Sequence, residues 1–129
     1  MTETSWQDYM QELAARLLRL DDGDTIILRH GKYYSQCQMA EDWLHVDAVS
    51  NHHLPQDQQL SAEQEEQLLA MGWLPPDPPN YFNWYVEPEA PLSAQDGARL
   101  AEMMVRALRD VYGIDRVDLL EKKEFNALY

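Results

Sequence analysis

Three turn signals in quick succession decide what this chain can fold into. Asp21-Asp22-Gly23-Asp24, His30-Gly31-Lys32 and Ala40-Glu41-Asp42 separate short strand-like runs. Glycine reaches the left-handed conformations that tight turns need, and aspartate hydrogen-bonds its own backbone there. Connections this short cannot carry a crossover, so the runs between them must pair as an antiparallel meander. Thr25-Ile26-Ile27-Leu28-Arg29 is apolar and β-branched. Tyr33 to Met39 alternates Gln36 and Gln38 against Cys37 and Met39. Trp43 to Val49 places Leu44, Val46 and Ala48 on one face and Trp43, His45 and Asp47 on the other.

Helical periodicity brackets the meander. Over residues 5–20, Trp6, Met10, Leu13, Leu17 and Leu20 recur at helical spacing, Ala14 and Leu18 widen the stripe, and Thr4 or Ser5 can cap the start. A second helix begins at Ser61, which forms a capping box with Gln64, and stops at Gly72; Glu63 and Glu65 suit the positive end of its dipole. Pro75-Pro76-Asp77-Pro78-Pro79 can be neither helix interior nor central strand. Tyr81 to Glu87 reads as a fourth strand, with Tyr81, Asn83 and Tyr85 on one face and Phe82, Trp84 and Val86 on the other. Ser93 with Asp96 starts a third helix whose stripe is Ala98, Ala101, Met104 or Val105, Leu108, Val111 and Tyr112, ending at Gly113. The remainder adds a short strand at Val117 to Leu120 or packs loosely over 118–129.

These elements predict an α+β fold in one domain over residues 1–129, in the order α-β-β-β-α-β-α(-β). Four to five antiparallel strands form a sheet with the helices packed on one face.

Charge narrows the function. The chain carries a formal net charge of −13, and no lysine or arginine occurs between Tyr33 and Ala98, a stretch with eleven carboxylates. Nucleic-acid binding needs a basic stripe to neutralise phosphates, and an anionic membrane would repel this surface, so neither partner is expected. The longest apolar runs are far too short to span a bilayer, and no signal-peptide pattern opens the sequence. A cytoplasmic setting is the simplest expectation. The single cysteine, Cys37, excludes an internal disulfide.

Catalytic patterns are missing. Cys37 lies mid-strand with no helix N-terminus or electropositive setting to make it reactive, and reads as a packed side chain. Five scattered glycines make no phosphate cradle. His45, His52, His53 and Asp57 are ligand types in a short span, but they lack the spacing of a zinc site and read as solvated. Glu65 with Glu66, Glu87 with Glu89, and Asp21, Asp22 and Asp24 read as solvated acidic faces, with no cleft predicted around them. No catalytic residue, cofactor or metal is expected.

Aromatic side chains are the remaining signal. Three of the four tryptophans and four of the seven tyrosines fall in the cation-free stretch. Trp6 and Trp73 fit core positions. With Leu44, Val46, Ala48, Phe82, Trp84 and Val86 under the helices, Tyr34, Trp43, His45, Tyr81 and Tyr85 would share the opposite face. Several rings exposed together make an apolar patch of the kind that binds another polypeptide. A helix or a second subunit covering them is the competing reading, because homodimer interfaces use the same residues. An acidic inhibitor or immunity protein that neutralises a basic toxin or nuclease would also suit the charge.

A run of residues then carries a family likeness. Val49-Ser50-Asn51, Leu54-Pro55, Leu60-Ser61, Leu68 to Met71, Gly72-Trp73, Pro75-Pro76, Asn80-Tyr81 and Trp84 are followed by Ala101 to Leu108 and Arg109-Asp110-Val111-Tyr112-Gly113-Ile114. This pattern resembles the bacterial TY-Chap proteins, common in actinobacteria, which group type III secretion chaperones and YbjN-like proteins as peptide-binding domains. The resemblance implies a secretion-chaperone-like fold without cofactor or catalytic residues. It also implies a role holding a segment of a partner protein, often as a homodimer. Its Gly72, Trp73, Asn80 and Trp84 read as fold-defining. The proline-dense linker and the charged Glu121-Lys122-Lys123-Glu124 depart from it.

Overall fold

The computed structural model describes residues 5–128. Helix α1 spans Trp6–Leu17, followed by strands β1 (Asp24–His30), β2 (Tyr33–Ala40) and β3 (Trp43–Ala48). A 3-10 turn at Gln56–Gln58 leads to α2 (Ala62–Met71), β4 (Trp84–Val86), α3 (Ala94–Arg106) and β5 (Glu121–Asn126). All five strands pair antiparallel in one sheet of order β4-β3-β2-β1-β5. The predicted element order is therefore present, including the optional last strand. That strand lies at Glu121–Asn126, however, because Val117–Leu119 closes into a 3-10 turn that carries the chain to the free edge of β1.

Local side-chain chemistry sets the helix ends. The Ser5 hydroxyl accepts from the Asp8 amide at 3.0 Å, so Ser5 caps α1; Thr4, the other candidate cap, lies outside the described residues. Ser61 with Gln64 and Ser93 with Asp96 both form reciprocal capping boxes. Helix α2 ends at Gly72, whose φ of 106° few side-chain-bearing residues adopt, and the Trp73 amide then donates back to the Leu68 carbonyl at 3.1 Å.

The helices cover one face of the sheet. Ile26 and Leu28 of β1, Cys37 and Met39 of β2, Leu44, Val46 and Ala48 of β3, and Trp84 of β4 point there and are buried. Helix α3 contributes Leu100, Ala101, Met104 and Val105, and α1 contributes Leu13 and Leu17. Ala98, expected in the α3 stripe, is exposed; Gly97 faces inward instead, because α1 passes so closely that a Cβ there would sit 2.9 Å from Leu18 Cδ2 and 3.3 Å from the Ala14 carbonyl oxygen. Beyond Arg106 the helix widens into a π-turn over Ala107–Val111. Two buried hydroxyls tie this unit to the sheet: Ser35 donates to the Met104 carbonyl at 3.0 Å, and Tyr112 to the Val49 carbonyl at 2.8 Å.

Two further expectations need correction. The fourth strand is only Trp84–Val86, since Asp77 and Tyr81 close a turn on each other (Asp77 N–H to Tyr81 carbonyl, 2.8 Å) and leave the ladder. Phe82 is accordingly not under the helices. It is exposed and stacks against His52 with ring centroids 4.6 Å apart. No helix among the described residues is long and apolar enough to cross a membrane.

Candidate functional site

Among the described residues the other face of the sheet carries no helix, and its β3–β4 end is walled by the loop after α2. Strand alternation puts Trp43, His45 and Asp47 on this face, and the register sets Tyr85 opposite Asp47. Leu74 pairs with Tyr85 through two backbone hydrogen bonds of 2.9 and 3.1 Å, which closes the outer edge of β4. The proline-rich segment then turns at Asp77–Tyr81 and brings the Tyr81 ring back onto Tyr85, with centroids 3.8 Å apart and planes 6° from parallel. His45 stacks on Tyr81 at 6.2 Å, and Trp43 meets His45 edge-on at 6.2 Å. A shallow groove of about 650 Å³ runs over this ring ladder.

A polar line runs beneath the rings. The Tyr81 hydroxyl donates to Glu87 Oε1, Glu87 Oε2 lies 3.1 Å from His45 Nδ1, and Asp47 Oδ2 lies 3.2 Å from His45 Nε2. A neutral imidazole has one N–H and can satisfy only one carboxylate; the imidazolium satisfies both. The Asp47 hydrogen bond, helped by Glu87 and opposed by partial burial, accordingly raises the His45 pKa above its ordinary value. Glu87, expected on a solvated acidic face, is instead half-buried and serves as a bridge.

Linkage gives this arrangement a pH signature. A histidine whose pKa is raised in the folded state contributes stability that is fully present below the unfolded pKa and fades as pH rises through the folded one. The charged groups facing it are Asp47 and Glu87, with Tyr81 stacked alongside. Urea denaturation of wild type and His45→Gln is therefore expected to show the largest wild-type advantage below about pH 6.5, shrinking toward pH 8. An advantage that grows with pH would contradict the imidazolium assignment.

Of the residues singled out from sequence, Trp43, His45, Tyr81 and Tyr85 line the groove, and Trp43 is 40% exposed. Tyr34 shares their sheet face but stands behind the wall. Its hydroxyl accepts from Asn83 Nδ2 at 2.9 Å, while Asn83 Oδ1 accepts the Ser50 amide at 3.2 Å. Tyr34 thus holds the Asn83 loop, and burial raises its pKa. Asp47, Asn83 and Glu87 were not singled out, although they complete the site. For Asp47 the signal was available: it alternates with Trp43 and His45 along β3. Asp57, a ligand type close in sequence to the histidines, sits in the 3-10 turn, and His52 packs edge-on against His53 at 4.8 Å. Cys37 is buried on the helix-covered face, where desolvation pushes its thiol up to about 12.

One family's sequence model matches residues 1–126: TY-Chap3, described as T3SS (YopN, CesT) and YbjN peptide-binding chaperone 3. Comparison with curated proteins and with solved structures gave no match. The chain belongs to the TY-Chap3 family of peptide-binding chaperones.

Proposed function

Proceeding from that membership, we propose that the chain is a non-catalytic chaperone-like module that holds a segment of a partner polypeptide in the groove over Trp43, His45, Tyr81 and Tyr85. The observation that carries this reading is the ring ladder itself. Four aromatic side chains lie together on a sheet face that no helix covers. Rings offer a large apolar area with little rotamer entropy to lose, which suits binding hot spots. The same geometry gives no support to covalent chemistry. The one thiol is buried with its proton held, and both ring nitrogens of His45 are engaged by carboxylates. The family match does not favour the acidic-inhibitor reading. A homodimer and a cytoplasmic setting belong to this proposal as expectations.

A peptide from a random library panned on the chain, titrated into isotope-labelled protein, is expected to move amide resonances in 43–47 and 80–87 and to leave α1 unmoved. Shifts confined to α1 and α3, or to the free edge of β5, would place binding elsewhere and refute the groove. A dimer that dissociates as peptide binds would put the second copy on the same surface.

A further inference from the structure

The groove is acidic as well as aromatic. Asp47 and Glu87 line it, and Asp42 and Glu89 join Glu87 around the adjoining depression beside Trp43 and Tyr81. No lysine or arginine lines either, in keeping with the stretch from Tyr33 to Ala98 that lacks both. Acidic side chains alone would be an ordinary solvated surface. Asp47 is different: it is only 8% exposed, its Oδ2 is held by His45, and its enclosed Oδ1 has no hydrogen-bond partner among the described residues. Buried carboxylate oxygens without a donor are rare because desolvation is then uncompensated.

Resting on the peptide-binding reading above, we infer that the groove selects segments carrying an arginine, whose guanidinium lies against the groove's rings, the exposed Trp43 among them, and donates to the Glu87 carboxylate and to Asp47 Oδ2. A guanidinium suits this site better than an ammonium does. It is planar, so it can lie flat on a ring face, and it presents several N–H donors in a fixed fork that can reach two acceptors at once. It is also the less strongly hydrated cation, so it gives up less on entering a half-buried groove. The surrounding negative field would speed the encounter with such a segment. The aromatic ladder then serves two purposes, burying the apolar neighbours of the arginine and stacking on the cation.

The test begins with a random-peptide library panned on the full chain at low salt. The selected peptides are expected to share one arginine among apolar residues. The best peptide is then made with citrulline in place of that arginine, which keeps the shape and removes the charge. Its affinity should fall by about tenfold or more, the scale of a lost charge-assisted hydrogen bond, and replacement by lysine should also weaken binding. In Asp47→Asn the citrulline penalty should shrink, and if that variant does not fold, Glu87→Gln supplies the same comparison. Peptides that need Trp43 but carry no arginine, or that bind equally well with citrulline or lysine, overturn this inference and leave the groove reading intact. Recovery of no binding peptide overturns both.

Discussion

Trp73→Ala is expected to cost about 3–5 kcal/mol of stability, the usual range for truncating a buried tryptophan. Trp73 is 1% exposed and is the largest side chain that is fully buried. Its place in the chain makes it more than volume. It follows Gly72 at the end of α2, where its amide closes the helix on Leu68, itself fully buried. The next residue, Leu74, pairs with Tyr85 and closes the edge of the sheet. Emptying the site therefore loosens the α2 terminus and the groove wall together. Trp73→Phe refines the measurement. The indole N–H of Trp73 has no partner among the described residues, so phenylalanine loses area but no hydrogen bond, and should recover most of the difference. Urea denaturation midpoints of the three proteins test this. A loss below about 1 kcal/mol for the alanine variant, within the range of surface changes and mild repacking, would remove Trp73 from the core.

What could be read from the sequence was what neighbouring residues decide. Ser61 with Gln64 and Ser93 with Asp96 are capping pairs three apart, and both close as expected. The meander follows from turns too short for any other pairing. Alternation along β3 separated Leu44, Val46 and Ala48 from Trp43, His45 and Asp47; the first set lies under the helices and the second on the other face, where Trp43 is exposed, His45 half-buried and Asp47 buried. The site depended on longer-range geometry. Nothing local to Tyr81 tells that the proline segment turns it off the ladder and onto Tyr85. Glu87, at the end of the expected fourth strand, reads as an ordinary solvated carboxylate until His45, far away in sequence, is placed against it. Tyr34 was put on the correct face, yet its partner Asn83 arrives from a loop 49 residues on, and only that contact shows it supporting the wall. The last strand was misplaced by a few residues for a similar reason: Glu121-Lys122-Lys123-Glu124 has no apolar face. Its place comes from pairing with β1, and ion pairs from Arg29 to Glu121 at 3.3 Å and Arg16 to Glu124 at 2.9 Å sit on opposite faces of that ladder. Charged side chains on such an edge also discourage unwanted strand addition.

Trp43→Ala is expected to behave in the opposite way to Trp73→Ala: peptide binding falls by roughly thirtyfold or more, as for a hot-spot ring of about 2 kcal/mol, while the denaturation midpoint stays near that of wild type. Trp43 begins β3 where the sheet face opens, is 40% exposed, and rests edge-on against His45 without filling the interior. Its backbone remains paired with Ala40 and bridged to Glu89 whatever its side chain, so the strand keeps its register after truncation. The ring is lost only to a ligand. Tyr34→Ala, by contrast, should lose both properties, because Tyr34 is packed against the core and holds Asn83 in place. Measured side by side with one selected peptide, the three variants separate surface from support. Trp73→Ala lowers stability, Tyr34→Ala lowers stability and binding, and Trp43→Ala lowers binding alone. If Trp43→Ala melts the protein as badly as Trp73→Ala does, its ring is part of the interior and the groove loses its outermost contact. If it leaves both stability and affinity unchanged, the segment held by this family member docks on some other surface.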